Sequence, residues 1–163
     1  MRVRITRDEL RRIRELTQSI KALEREIAGL VATIAPRLLS EPGFGALTAA
    51  KLVGEIAGAH RFATAAKLAR AAGVAPIPAS SANTRRQRLD QGGNRQINAA
   101  PHRVIVTRAR CHHATQDYIA RRRAEGKSTR KAIRCLKRHL ARHVWRLLQP
   151  PHPVKDKLST STS

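Results

Sequence analysis

The chain has 163 residues and 33 Lys plus Arg against 11 Asp plus Glu, a formal net charge of +22. That length allows one domain with a real core. That charge selects polyanionic partners, nucleic acid first among them, because Lys and Arg replace the counterions condensed on phosphates. No apolar run is long enough to span a membrane, and the basic residues are spread over several segments rather than one amphipathic anchor.

In chain order, Thr6-Arg-Asp-Glu9 reads as a capping box, so a helix is expected to start there. Its apolar residues Ile13, Leu16, Ile20, Leu23, Ile27, Leu30 and Ile34 alternate spacings of three and four. Isoleucine takes every a position and leucine every d, the choice that favours a parallel two-stranded coiled coil. At about three heptads such a helix is marginal alone, so it pairs with a second copy or packs on its own chain. Pro36 ends it. Residues 1–36 are therefore read as a dimerisation helix.

Pro42-Gly-Phe-Gly45 makes a tight turn, and a helix follows through Leu47, Leu52, Val53 and Ile56. This reads as a helix-hairpin-helix element, whose amides hold a DNA phosphate without reading sequence, or as a plain helical corner. Gly43, Gly45 and Lys51 are its candidate phosphate contacts. An Ala-rich helix over roughly Ala63 to Ala72 stops at Gly73. Pro76 and Pro78 then exclude regular helix. The adjacent Ser80 and Ser81 follow, with Asn83-Thr84 to support a turn and Arg85, Arg86 and Arg88 crowded behind. An irregular loop or short hairpin is expected here. Gly92-Gly93 leads into a helix from about Asn94, with a kink or interruption expected at Pro101.

Cys111-His112-His113 is not a metal motif, because adjacent histidines on a helix point apart and nothing else has ligand spacing to them. Thr115 is read as the cap of a short helix ending near Gly126. The last helix is expected from Ser128, with Ile133, Leu136, Leu140, Val144 and Leu147 on its buried face. Its other faces carry almost only cations, among them Arg134, Lys137 and Arg138, which either contact phosphate or are merely solvated. Pro150 opens a polar tail over 150–163 that is expected to be disordered. Phe44, Phe62, Tyr118 and Trp145 are the only aromatic residues, too few for a stacking platform on single strands. Cys111 and Cys135 suggest no structural disulfide, and Met1-Arg-Val-Arg-Ile5 has no signal-peptide core, which points to the cytoplasm.

A serine among guanidinium groups can attack a phosphodiester if its proton is removed, the phosphoryl charge is stabilised and the leaving oxygen is protonated. Arg85, Arg86, Arg88 and Arg95 suit the second need. His60, His102 and His139 are the candidate bases, none of them near in sequence.

From about Leu38 to Leu148 the order of motifs resembles the C-terminal transposase domain of the insertion-sequence 110 family. The matching pieces are Pro42-Gly-Phe-Gly45, Phe62 with the Ala-rich helix, Gly73-Val-Ala-Pro76, Ala79-Ser-Ser81 and Arg88-Leu-Asp-Gln-Gly-Gly-Asn-Arg95. Ala120-Arg-Arg-Arg-Ala-Glu-Gly-Lys127, Arg134-Cys-Leu-Lys-Arg138 and the preceding coiled-coil helix complete the series.

The resemblance implies an RNA-guided DNA recombinase in two parts. One is a nuclease-like domain whose Asp-Glu-Asp-Asp set binds magnesium. The other is a domain whose serine joins covalently to DNA. That serine falls on Ser81, with Ser80 as the fallback. Where the family has glycine after it, this chain has Ala82 and Asn83.

The chain starts at the coiled coil, and Asp8, Glu9 and Glu15 do not rebuild a carboxylate cluster. The expectation is thus a mainly α protein: an N-terminal coiled-coil helix, a transposase domain over 37–149, and no cofactor of its own. It is a truncated transposase that binds DNA, and with it a structured guide RNA. It pairs with a second copy or with a full-length transposase, and is inert alone. The alternative is a non-catalytic basic DNA- or RNA-binding protein.

Overall fold

The computed structural model describes residues 2–79, 87–88 and 90–150. Among these residues it is mainly helical, with seven α-helices, one 3₁₀ turn and a single antiparallel ladder of two residues per strand.

Helix α1 runs over Arg2–Ile34. It starts earlier than the capping box predicts. The preceding Arg-Val-Arg-Ile contains no breaker, so helical bonding continues past Thr6, and Thr6 and Glu9 lie inside the helix. Only its last turns meet the body: Ile27 is half-buried, and Val31 and Ala35 are buried. Ile13, Leu16, Ile20 and Leu23 are each more than half exposed, and so are Leu30 and Ile34 beside the buried contacts. The a/d seam therefore faces solvent except at Ile27, while an adjacent stripe packs inward.

Pro36 does not merely end α1. It occupies the first position of α2 (Pro36–Leu39), where its missing N–H costs nothing, and Leu38 is fully buried. The turn over 40–45 leads to α3 (Ala46–Ile56), which buries Ala49, Leu52 and Ile56 at helical spacing. A 3₁₀ turn over Ala59–Arg61 precedes α4 (Ala65–Ala71). The Thr64 hydroxyl caps α4 by accepting from Lys67 N at 3.2 Å.

Strand β1 (Ile77–Pro78) pairs with β2 (Gln87–Arg88), Ile77 opposite Arg88 and Pro78 opposite Gln87. Helix α5 (Arg95–Cys111) begins at Asn94, whose Oδ1 accepts from Gln96 N at 2.8 Å and Ile97 N at 3.1 Å. The helix runs through Pro101 without interruption. The ring is fully buried on the core-facing side with Ile97, Ala100, Val104 and Ile105, and that burial offsets the hydrogen bond it removes.

The break falls instead at His112, which has extended backbone and separates α5 from α6 (His113–Ala124). Cys111, His112 and His113 thus do not share one helix. Thr115 is a buried residue inside α6 rather than its cap, and its hydroxyl lies 2.9 Å from His112 Nδ1. Helix α7 (Thr129–Leu147) is capped by Ser128, as its sequence predicts, and buries Ala132, Leu140, Ala141 and Val144.

Helices α3, α5 and α7 enclose the core, with α4 against α7 and the end of α1 against α3. Leu38, Phe44, Leu52, Ile56, Leu68, Val104 and Val144 are among its members. Each is worth about 1.5–3 kcal/mol of transfer free energy, and together they fix α5 and α7 as the rigid frame that carries the basic segments. Among the described residues no helix is long and apolar enough to cross a membrane.

Candidate nucleic-acid interface

The described residues on either side of the serine segment meet at a neck where three stretches of chain converge. Helix α4 ends at Gly73, in the left-handed region with φ 63°. The 92–93 turn lies against it so closely that a Cβ on Gly93 would overlap Gly73 N and Cα and stand 2.7 Å from Ala72 C. Only glycine permits that approach. Asn94 N donates to Ala71 O at 2.7 Å, and Asn94 Nδ2 donates to Glu55 Oε2 on α3 at 2.9 Å. One turn on, Asn98 Nδ2 donates to Ala72 O at 2.8 Å and Gly73 O at 3.3 Å, while Lys137 on α7 donates to Asn98 Oδ1.

These contacts set the foot of the β1–β2 ladder, where Arg88 is exposed opposite Ile77. Ser80, Ser81, Arg85 and Arg86 lie outside the described residues.

Among the other candidate residues, Arg95 is exposed at the start of α5, on the same side of the frame as the neck. Arg134 is exposed and Arg138 half-buried on α7. Lys137 is different: it turns inward to Asn98, and its pKa is pushed down by burial and by the charge of Arg134. Lys51 is half-buried on α3.

His139 follows Lys137 by two residues and so points to the opposite side of α7. It meets Tyr118 of α6 edge-on, ring centroids 6.1 Å apart. Burial and the charges of Arg142, Arg138 and Arg122 hold its pKa below the ordinary value. Of the histidines considered as bases, His102 lies one turn beyond Asn98 on α5 and is exposed, and His60 is exposed beside Gly58.

The Pro42–Gly45 turn forms a second element. Gly43 has φ 79°, and a Cβ there would stand 3.1 Å from Arg108 Cγ and 3.2 Å from Val104 O. Gly45 caps α3 with extended backbone and has no side chain to close the first turn. No helical hydrogen bond uses the amide of Ala46, so this end of α3 can take an anion. Arg108 reaches back to the turn, its Nε donating to Pro42 O at 2.6 Å and its Nη2 to Glu41 Oε2 at 2.9 Å. The other Glu41 oxygen is 2.9 Å from His143 Nε2. None of these partners was legible in the sequence.

The electrostatics beyond these elements are one-sided. Helix α7 has no Asp or Glu, and its first turn carries Arg130 and Lys131 against the helix dipole. At the end of α6, Glu125 is held down to about 2 by hydrogen bonds from Lys127 and Arg122, which leaves Arg121 and Arg123 uncompensated by it. Arg121 and Arg122 both lie over the Tyr118 ring, at 5.4 and 5.1 Å. Cys111 and Cys135 are free thiols.

Residues 35–120 match the model of the transposase IS116/IS110/IS902 family. The chain belongs to that family of transposases. The family match spans α2 to most of α6, and so contains the Pro42–Gly45 turn, the neck and both strands; Arg134, Lys137 and Arg138 lie beyond it.

Among relatives of the IS116/IS110/IS902 transposase family, an uncharacterized 43.6 kDa protein of insertion element IS110 from Streptomyces coelicolor is 35% identical over 116 residues, covering 69% of this chain and 29% of the relative. An uncharacterized 42 kDa protein of insertion element IS900 from Mycobacterium paratuberculosis is 28% identical over 165 residues, covering 93% of this chain and 40% of the relative. The chain thus spans well under half the length of these curated relatives. Family membership assigns it to a mobile element and suggests a role in transposition.

Among the described residues no group of three or more His, Cys, Asp or Glu can hold a metal ion. Glu41, Glu55 and Glu125 each face cationic or amide donors instead.

Proposed function

We propose that the chain is the DNA-holding, serine-bearing part of a transposase, acting in the strand cleavage and rejoining of transposition. The observation that carries the reading is the family match over residues 35–120, whose span includes the serine segment, the neck and the turn.

In this reading the Ser81 hydroxyl oxygen attacks a backbone phosphorus. A serine–phosphate bond forms, one P–O bond to the departing deoxyribose breaks, the serine proton passes to a base and the leaving oxygen takes up a proton. Ser80 is the fallback nucleophile. Arg85, Arg86, Arg88 and Arg95 stabilise the transferring phosphate. The helix-hairpin-helix-like turn, through Gly43, Gly45 and Lys51, and the cations Arg134, Lys137 and Arg138 hold flanking DNA, Lys137 from its half-buried position.

The metal-bound carboxylates are supplied from outside these residues, so the 163 residues alone bind DNA without recombining it. Residues 1–36 pair two copies, or join this chain to a full-length transposase, through the exposed seam of α1. Residues 37–149 form the transposase unit, and 150–163 are a tail. A structured guide RNA is the further partner. Ala82 and Asn83, in place of the family glycine, favour a second reading: a basic nucleic-acid-binding protein that has lost the chemistry.

The test is to trap a protein–DNA adduct on a denaturing gel, with magnesium and a separately supplied metal-binding domain. Disappearance of the adduct in Ser81→Ala, with DNA binding intact, supports the nucleophile. An adduct unaffected by both Ser81→Ala and Ser80→Ala refutes it, and no adduct in the unsubstituted protein leaves the binding reading standing alone.

A further inference from the structure

Helix α5 touches the neck with its first turn and the Pro42–Gly45 turn with its last. We infer that Arg108 is a positioning residue of the DNA contact, holding the turn at a fixed distance from the neck. The inference rests on the reading that the turn amides hold a phosphate.

Arg108 itself is badly placed to meet DNA. Its side chain is 14% exposed, and its guanidinium is directed inward to Glu41 Oε2 at 2.9 Å and Pro42 O at 2.6 Å. The guanidinium carbon also lies 5.6 Å from the centre of the Phe44 ring, and the side-chain stem supports Gly43. Three consecutive turn residues and the preceding glutamate are thus seated on one side chain. Glu41 is in turn tied to α7 through His143 at 2.9 Å.

The geometry needs a fork. One donor meets a carbonyl and another a carboxylate, an arrangement the single ammonium of lysine does not reproduce. In a chain with cations to spare, a guanidinium withdrawn from solvent to clamp a glycine turn is explained by the turn's shape rather than by charge.

The spacing has a consequence. Asn94 and Arg108 lie about 20 Å apart along α5 at 1.5 Å per residue. That axial separation corresponds to about six base-pair steps of B-form DNA, at 3.4 Å per step.

The experiment is a double-mutant cycle on the full chain, using a fluorescent random-sequence duplex titrated over a range of salt. Ala46→Pro removes one amide donor at the first position of α3, where proline is tolerated and Gly45 already has extended backbone. If the turn holds a phosphate, this change weakens binding roughly tenfold at every salt concentration and leaves the salt slope unchanged, because the amide carries no net charge. Binding equal to wild type refutes the turn reading, and the inference with it.

Given that weakening, Arg108→Lys keeps the charge and loses the fork. The expected result is an equal loss, with the double variant no weaker than either single one. Wild-type binding by Arg108→Lys, or losses that multiply in the double variant, overturns the positioning role while leaving the turn reading intact. Thermal unfolding of each variant reports the fold. Where Arg108→Lys does not fold, Glu41→Gln runs the same cycle with the same criteria.

Discussion

Gly93→Ala places a methyl group where Gly73 already lies. The added carbon would overlap Gly73 N and Cα and stand 2.7 Å from Ala72 C, all backbone atoms that cannot rotate away. Relief requires the 92–93 turn to withdraw from the end of α4 by about 1.4 Å, since ordinary contact is at ~3.5 Å and Gly73 N is the nearest atom. Three hydrogen bonds span that joint: Asn94 N to Ala71 O at 2.7 Å, and Asn98 Nδ2 to Ala72 O at 2.8 Å and Gly73 O at 3.3 Å. At about 1 kcal/mol each, the cost is about 3 kcal/mol. For a chain of this size that lowers the melting temperature by about 6–12 °C.

The control is its neighbour. A Cβ on Gly92 meets nothing nearer than Asp90 Oδ1 at 3.5 Å, so Gly92→Ala should change stability by less than about 0.5 kcal/mol. Thermal unfolding followed by far-ultraviolet circular dichroism measures both. A Gly93→Ala protein melting within about 2 °C of wild type refutes the reasoning.

Two further outcomes rest on the same framework. Burial raises the Glu41 pKa, but hydrogen bonds and charge from His143 and Arg108 outweigh it, and the net shift is downward. The unfolded chain therefore takes the proton first. The stabilisation is present above the ordinary glutamate value of about 4.3 and is lost as pH falls through the lower folded value. Glu41→Gln should flatten that acid limb of melting temperature against pH, and an unchanged limb argues against the network. On α1, Ile20→Glu with Leu23→Glu should abolish self-association in sedimentation velocity while leaving the body's unfolding unchanged, since both side chains are more than half exposed. Equal sedimentation of variant and wild type refutes pairing through the seam.

The helices were largely legible because local signals agree with the tertiary fold. Asn94 and Ser128 stand at the helix starts where the sequence places them, and Gly73 follows the end of α4. Thr6 and Thr115 misled because a capping pattern has force only where the chain leaves the helix just before it: nothing breaks α1 ahead of Thr6, and the break ahead of Thr115 falls three residues earlier, at His112. Pro101 misled because propensity does not register a ring that fills a core face.

Of the interface, the turn and the cationic α7 were readable. Asn98 with Lys137, Gly73 with Gly93, and Glu41 with Arg108 and His143 were not. Each joins residues far apart in sequence, and none carries a local pattern. Arg108 had one faint signal, its place one turn after the buried Val104.

The chain's one tryptophan, Trp145, donates its indole N–H to Phe62 O at 2.9 Å, tying the end of α7 to the segment before α4. Fluorescence emission therefore watches a single joint of the body. Circular dichroism weighs every helix, including the exposed first half of α1, which emission does not see. Two unfolding curves recorded on one sample will part company whenever that half melts by itself. If they converge as protein concentration rises, the pairing of α1 becomes measurable without any label.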